Sequence, residues 1–496
     1  MLFSSMIFLW IFLPTTIIVN FILTLVPFRR ESTRVLVKNI FLLIASLIFY
    51  AWGGINYLFI MLSSIALNFA GGFILQRFRD RLKPRRLALV AIIFLNLGIL
   101  FFFKYFNMVV IAIEAFTQAG TSFGDRLASM LSMQGTGALG LAHIVLPIGI
   151  SFYTFQSMSY VIDVYQGKTQ VQKNVIHFAL YVALFPQLIA GPIVKYSDVN
   201  LQIEKRRETL SLFYSGVRRF CYGLGKKVIL ANTFAQIADD IWALDVTTLG
   251  TSVAWLGAIC YTLQIYYDFS GYSDMAIGLG RMFGFRFKEN FNYPYLSASV
   301  QEFWRRWHIS LSSWFKEYVY IPLGGNKKGA LRTYVNIFIV FLLTGIWHGA
   351  NFTFLFWGIY YALLQILERL FLKKVLDKNP IKILNHLYTL LAVVIGWVYF
   401  RSDTIYQANY YIRQMFVYTL SDNSVLTFLS TKVLILAVLA ILCTGILQAP
   451  LQKFLARIKT SLSFSVADLC LQLCILFYCV LLLVSGTYNP FIYFQF

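Results

Sequence analysis

Histidine is the side chain best suited to move a proton near neutral pH, and the sequence holds five: His143, His177, His308, His348 and His386. Their settings separate them. His348 lies in LLTGIWHGANFTF, at the end of an apolar run. An ionisable group at membrane depth is costly enough to mark a functional site. Gly345, Gly349 and Ala350 are small enough to leave a substrate room, and Trp347 and Asn351 can pack and hydrogen-bond beside it. His308 lies in EFWRRWHISLSSWFKEYVYIPLGG, where helical spacing places Trp304, Arg305, His308 and Ser312 on one side. Trp307, Trp314, Phe315 and Tyr318 make the rest of that block aromatic. Its other reading is an interfacial belt of aromatic and arginine residues. His143 sits among Leu, Ala and Ile, while His177 and His386 follow basic loops, so all three read as structural. There is no G-x-S-x-G elbow, and no cysteine stands beside either central histidine. That argues against a covalent serine or cysteine nucleophile.

The elements that must position these residues are membrane helices. Of 496 residues, 59% are hydrophobic and only 13% charged, and mean hydropathy is +0.69. A soluble chain could not cover that much apolar surface. Backbone groups in lipid must bond internally, and the period is helical, so the fold class is all-α and polytopic. Spans are expected at roughly 2–26, 37–53, 55–76, 87–113, 140–165, 211–231, 251–267, 331–348, 352–372, 383–401, 431–448 and 466–487, which means roughly 11–13 spanning helices plus re-entrant or interfacial ones. Leu2–Val26 carries no small-residue cleavage site and reads as a first span. The six cysteines, Cys221, Cys260, Cys443, Cys470, Cys474 and Cys479, all fall in apolar runs and read as small buried residues, with no metal site expected.

The net charge of +21 collects in short loops at 29–34, 77–86, 204–207, 327–328, 373–382 and 453–459. Such loops face the cytoplasm, which puts both termini outside. No nucleic-acid-binding pattern accompanies the charge, so no nucleic acid is expected. Two stretches resist reading as spans. Residues 177–197 are broken by Pro186, Gly191 and Pro192 and read as re-entrant from the cytoplasmic side. Residues 268–330 mix Asp, Arg, His and Trp with apolar residues, and are where an active chamber is expected. No internal repeat appears, so 1–496 reads as one membrane domain.

FSGYSDMAIGLGRMFGF (269–285), NYPYLSASVQEFWRRWHISLSSWFKEYVYIPLGGN (292–326) and GIWHGANFTFLFWGIYYA (345–362) closely resemble the membrane-bound O-acyltransferase family. LPIGISFYTFQSMSYVIDVY (146–165) and FPQLIAGPIV (185–194) extend the likeness over about 145–370. The branch is similar to that of alginate and peptidoglycan O-acetylation, with D-alanyl-teichoic-acid transfer a close cousin. The resemblance implies a ring of tilted helices around a thin central floor, with a funnel on each side. It implies an active histidine at His348 and a second motif histidine at His308. It also implies a cytoplasmic thioester donor, acetyl-CoA or an acyl-carrier thioester, with no bound cofactor. The acceptor would be a hydroxyl on a cell-envelope polysaccharide, or an extracytoplasmic SGNH-esterase-like partner acting as a relay. Such a protein would sit in the inner (plasma) membrane. His348 is then the base and His308 the donor-side partner, with Trp304, Arg305, Trp347 and Asn351 as candidate donor- or substrate-binding residues. The ending NPFIYFQF (489–496) resembles the C-terminal motif of the small membrane peptide that accompanies D-alanylation enzymes, which makes Tyr493 a candidate acyl carrier. The plainer reading of that ending is an interfacial aromatic anchor. D-alanyl transfer to teichoic acid is the first alternative. A transporter of lipid-linked sugar would also suit broken helices, but it leaves the two histidine motifs unexplained.

Overall fold

The computed structural model describes residues 1–117, 146–189, 191–419, 424–447, 462–486 and 488–492, and among these it is helical, without strands. His143, Tyr493 and the 453–459 loop lie outside the described residues. In chain order the helices are α1 (Phe8–Leu25), α2 (Glu31–Ala51), α3 (Ile55–Arg77) and α4 (Leu82–Thr117). Next come α5 (Ile150–Gln166), α6 (Val175–Ala183), α7 (Tyr196–Lys205), α8 (Leu210–Gly225), α9 (Asn232–Trp242), α10 (Thr251–Met282), α11 (Val300–Arg306) and α12 (Ile309–Phe315). The chain finishes with α13 (Ala330–His348), α14 (Phe352–Leu367), α15 (Lys382–Arg401), α16 (Ile405–Phe416), α17 (Thr431–Ile441) and α18 (Leu462–Ser485).

Among the described residues, eight helices are long and apolar enough to cross a bilayer: α1 to α4, α13, α14 with its continuation to Lys378, α15 and α18. The other expected spans, 140–165, 211–231, 251–267 and 431–448, are largely helical where described, the first only from Ile150, but shorter or more polar. Together these make a multi-pass membrane protein. The spanning helices turn Trp10, Phe21, Ile48, Phe59, Phe94 and Phe477 outward, as lipid-facing surfaces do. Their polar groups face inward. Asn68 of α3 and Asn96 of α4 exchange two hydrogen bonds, at 2.8 and 3.0 Å, the kind of polar contact that joins helices where lipid removes the hydrophobic drive. Cys443, Cys470 and Cys474 also lie on the outer surface, contrary to the buried placement expected for all six cysteines.

The centre is α10, which is buried along almost its whole length. It corrects the expectation that a span ends near 267, because the helix runs on to Met282. Asp268 and Asp274 made that stretch look too polar, yet both are paired inside the protein. Asp268 sits 2.6 Å from Lys227, and Asp274 is 2.6 Å from both Arg219 and Lys226. Against α10 lies α8 at backbone contact. A Cβ on Gly223 would fall 2.7 Å from the Gly271 carbonyl oxygen, and one on Gly216 2.6 Å from that of Gly278. Two glycines seven apart on each helix therefore make the close crossing possible.

The 177–197 stretch is broken as expected. α6 ends at Ala183, Pro186 opens a four-residue helix at Phe185–Leu188, and residues 191–195 are buried outside any helix. A second break corrects the idea of one continuous helix through 304–312. α11 stops at Arg306, His308 takes a left-handed backbone (φ 43°), and α12 begins at Ile309. Positive φ is uncommon for a residue other than glycine and points to a site held by its surroundings.

Candidate active site

The surroundings of His308 can be built from its neighbours. Asn290, buried in the loop after α10, accepts at Oδ1 from the Ser310 backbone N–H (3.1 Å) and the Ser310 hydroxyl (2.8 Å). Its backbone carbonyl accepts from Ile309 N–H at 2.9 Å. The same Oδ1 lies 3.2 Å from His308 Nδ1. Since that oxygen already accepts from a backbone N–H, Nδ1 must be the protonated ring nitrogen. The lone pair then sits on Nε2, which is buried and has no partner among the described residues. Ser310 Oγ also accepts from Ile193 N–H at 3.0 Å, which ties the broken 185–195 segment to the histidine. Below it, Trp314 stacks on Phe155 at 3.9 Å and donates to the Phe155 carbonyl.

Glu368 holds the start of this block. Fully buried, its carboxylate accepts the N–H groups of Val300 (2.6 Å) and Gln301 (2.9 Å), the unpaired donors at the head of α11. Ser299 caps the same turn by accepting from Glu302 N–H.

His348 is the last residue of α13, where helix carbonyls lose their partners. Lys104 of α4 supplies them, its ammonium donating to the carbonyls of Trp347 (2.6 Å) and His348 (2.8 Å). Tyr105 donates to the Ile346 carbonyl. The imidazole is enclosed by aromatic edges: Trp347, Trp357 and Phe400 lie 5.0–5.1 Å away, ring centre to ring centre. It borders a small cavity of about 10 Å³, roughly room for one water, lined also by Ile265, Phe269, Trp307, Trp397 and Ile492. His308 and His348 are 1% and 8% exposed, and they share neighbours. Trp347 lies 6.1 Å from the first and 5.0 Å from the second. Phe269, edge-on to His308 at 4.6 Å, is also part of the cavity wall.

A second small cavity, of about 30 Å³, approaches from the other side of the His308 network. Lys195, Asp198, Arg286, Lys288 and Glu289 make its charged rim, with Lys288 paired to Asp198 and Lys195 to Glu317, and Ser310 and Ser313 lie within. Ser310 therefore belongs both to this cavity and to the His308 hydrogen bonds.

Other residues singled out in the sequence lie elsewhere. Trp304 packs against Phe341, Trp357 and Tyr361, and Arg305 is exposed; neither lines the two cavities. Asn351 caps α14 by accepting from Thr353 N–H and donates to the Asp403 carbonyl. The room expected at Gly345 and Gly349 is filled. A Cβ there would meet the Phe354 carbonyl oxygen at 2.4 Å or its ring at 2.3 Å. His386 bonds the Ser297 carbonyl (3.2 Å) and His177 starts α6. Asn290, Glu368 and Lys104 went unnoticed in the sequence, although Lys104 in FFFKYF is an ionisable group in an apolar run, the same signal that drew attention to His348.

Chemically, the arrangement offers an imidazole whose Nε2 has no partner among the described residues and a second imidazole on an aromatic cavity. Transfer between oxygen and sulfur esters needs a base for the hydroxyl and exclusion of hydrolysis.

Comparison with known proteins agrees. Residues 170–401 match the model of the membrane-bound O-acyltransferase family. The chain is 41% identical over 515 residues to "Probable alginate O-acetylase AlgI" of Pseudomonas putida, covering 100% of both. It is 33% identical to the "Peptidoglycan O-acetyltransferase" of Helicobacter pylori, over 82% of this chain and 78% of the other. It is 29% identical to the "Teichoic acid D-alanyltransferase" of Bacillus subtilis, over 50% and 65%. Since the first match runs from end to end and the family model falls across the histidine chamber, the chain belongs to the membrane-bound O-acyltransferase family.

Proposed function

We propose that this membrane O-acyltransferase moves an acetyl group from a cytoplasmic thioester, acetyl-CoA or an acyl-carrier thioester, to a hydroxyl on an extracytoplasmic polysaccharide or a relay protein. The observation that carries the reading is the pair of buried imidazoles sharing Trp347 and Phe269, with a separate cavity approaching each. The second cavity, with Arg286 on a rim of mixed charge, stands by a segment expected on the cytoplasmic side, where a thioester donor would arrive. His348 acts as the base on the acceptor hydroxyl; His308 meets the thioester carbonyl. Both termini are external, and the membrane is the inner (plasma) membrane. The relatives' printed names favour acetyl over D-alanyl, and alginate or peptidoglycan as the polymer class. Transfer ends on the polymer or on an SGNH-esterase-like partner, with Tyr493 as an intermediate acyl carrier.

Purified protein with radiolabelled acetyl-CoA and an acceptor tests this. Ester-bound label that is lost in His348→Ala supports transfer, whereas label bound and released unchanged supports transport instead. Full activity in Tyr493→Phe removes the carrier role.

A further inference from the structure

Past α18 the chain turns back into the protein. Tyr488 donates to Asp239 at 2.5 Å. Asn489 bonds Ser4 near the N-terminus (3.0 Å) and Asn232 (3.2 Å). Phe491 packs on Tyr272, with ring centres 4.6 Å apart. Ile492 is buried and forms part of the wall of the His348 cavity.

Two charged residues hold the main chain of this strap. Lys227 donates to the Pro490 carbonyl, and its ammonium lies 5.9 Å from the Phe491 ring. Asp268 Oδ2 accepts from the Ile492 N–H at 2.8 Å, and Oδ1 is 2.6 Å from Lys227. Both side chains are only 2% exposed. A buried ion pair is a poor way to gain stability, since an apolar pair of similar volume does as well or better. Lys227 lies in the π-helical turn Lys226–Ala231, the kind of local insertion that recurs at functional sites. There Lys226 reaches Asp274 while its neighbour Lys227 reaches Asp268 and the strap.

We propose that Lys227 and Asp268 form a main-chain clamp that seats Pro490–Ile492 and so closes the His348 cavity with the protein's own C-terminal segment. They are positioning residues that act through the strap. The clamp reads one carbonyl and one N–H two residues on, so its grip does not depend on which side chains the strap carries. Its consequence is dryness: with Ile492 in place the acyl group meets the acceptor hydroxyl, and with Ile492 displaced it meets water. Hydrolysis would then convert thioester and water to free acid and thiol. This rests on the acyl-transfer reading above.

The test places one reporter cysteine, Ile492→Cys, in a background lacking the six native cysteines, in the full chain in detergent. The reporter should resist a water-soluble maleimide. It should react in Lys227→Met/Asp268→Leu and stay protected in Lys227→Gln/Asp268→Asn, which keeps a donor for Pro490 and an acceptor for Ile492. With native Ile492, the Met/Leu pair should lose about tenfold in kcat for transfer at unchanged donor KM, with a larger share of donor hydrolysed; the Gln/Asn pair should restore both. Should the Met/Leu pair fail to fold, Ile492→Pro removes the same N–H without touching the helices and should give the same partition. A reporter equally protected in the Met/Leu pair, or a freed strap with unchanged transfer and hydrolysis, overturns the clamp. Wild-type transfer in His348→Ala would instead overturn the acyl-transfer reading, and the maleimide result would still decide the clamp.

Discussion

Lys104→Met is the most informative single change outside the histidines. The methionine keeps an apolar stem of similar length, so packing around α4 is little disturbed. What is lost is the ammonium that donates to Trp347 O at 2.6 Å and His348 O at 2.8 Å. Hydrogen bonds to a charged group contribute about 1.5–3 kcal/mol each. Removing a partly buried ammonium also relieves its own desolvation, which offsets part of that loss. A net destabilisation of about 2–3 kcal/mol is expected, concentrated at the last turn of α13. The carbonyls freed there belong to the very residue that carries the imidazole, so that turn should rotate to find other donors. A displacement near 1 Å at a reacting group costs about a hundredfold in rate. Acetyl transfer by purified protein, read as kcat and KM beside a thermal melt, measures both effects. Lys104→Arg, which keeps charged donors, should retain more activity than Lys104→Met. A Lys104→Met protein with wild-type kcat would refute the view that this lysine holds His348 in place.

Other changes follow from the same geometry. Asn290→Ala frees His308 to take the other tautomer and should lower kcat by about one to two orders of magnitude, within the range for misplaced acid–base groups; an unaltered kcat would contradict the tautomer argument. Gly223→Val puts a branched side chain where even a Cβ lies 2.7 Å from a backbone oxygen, and should abolish a monodisperse peak on size exclusion. Glu368→Gln keeps one acceptor for Val300 and Gln301 but loses the charge at the head of α11, and should cost about 1–2 kcal/mol in a denaturation midpoint.

The fold was legible in the sequence where one segment decides its own fate. Apolar runs such as 55–76 and 466–485 became helices because each meets lipid along much of its surface, and the Pro186 break appeared because proline acts locally. Features that depend on distant partners were hidden. α10 continues past Asp268 because Lys227 lies across from it, and that partner belongs to another helix. The helix break at His308 depends on Asn290, eighteen residues upstream. The glycines beside His348 suggested open space, but Phe354 from the next helix occupies it. The glycine pairs of α8 and α10 did carry a signal, equal spacing of seven on two helices, but only comparing the helices reveals it. His308 stood out in the sequence because its block resembles a family motif, and His348 because membrane depth makes an ionisable side chain conspicuous. Lys104 and Glu368 carry the same mark, and they hold the two histidine segments in place.

The most direct measurement of the central claim is transfer in proteoliposomes. Radiolabelled acetyl-CoA is supplied on one side and a hydroxyl acceptor on the other, for wild type and His348→Ala. The account predicts hydroxylamine-labile label on the acceptor with the wild type and a loss of about a thousandfold or more without the imidazole. Equal ester formation by the two proteins, or passage of intact donor without ester formation, would contradict it.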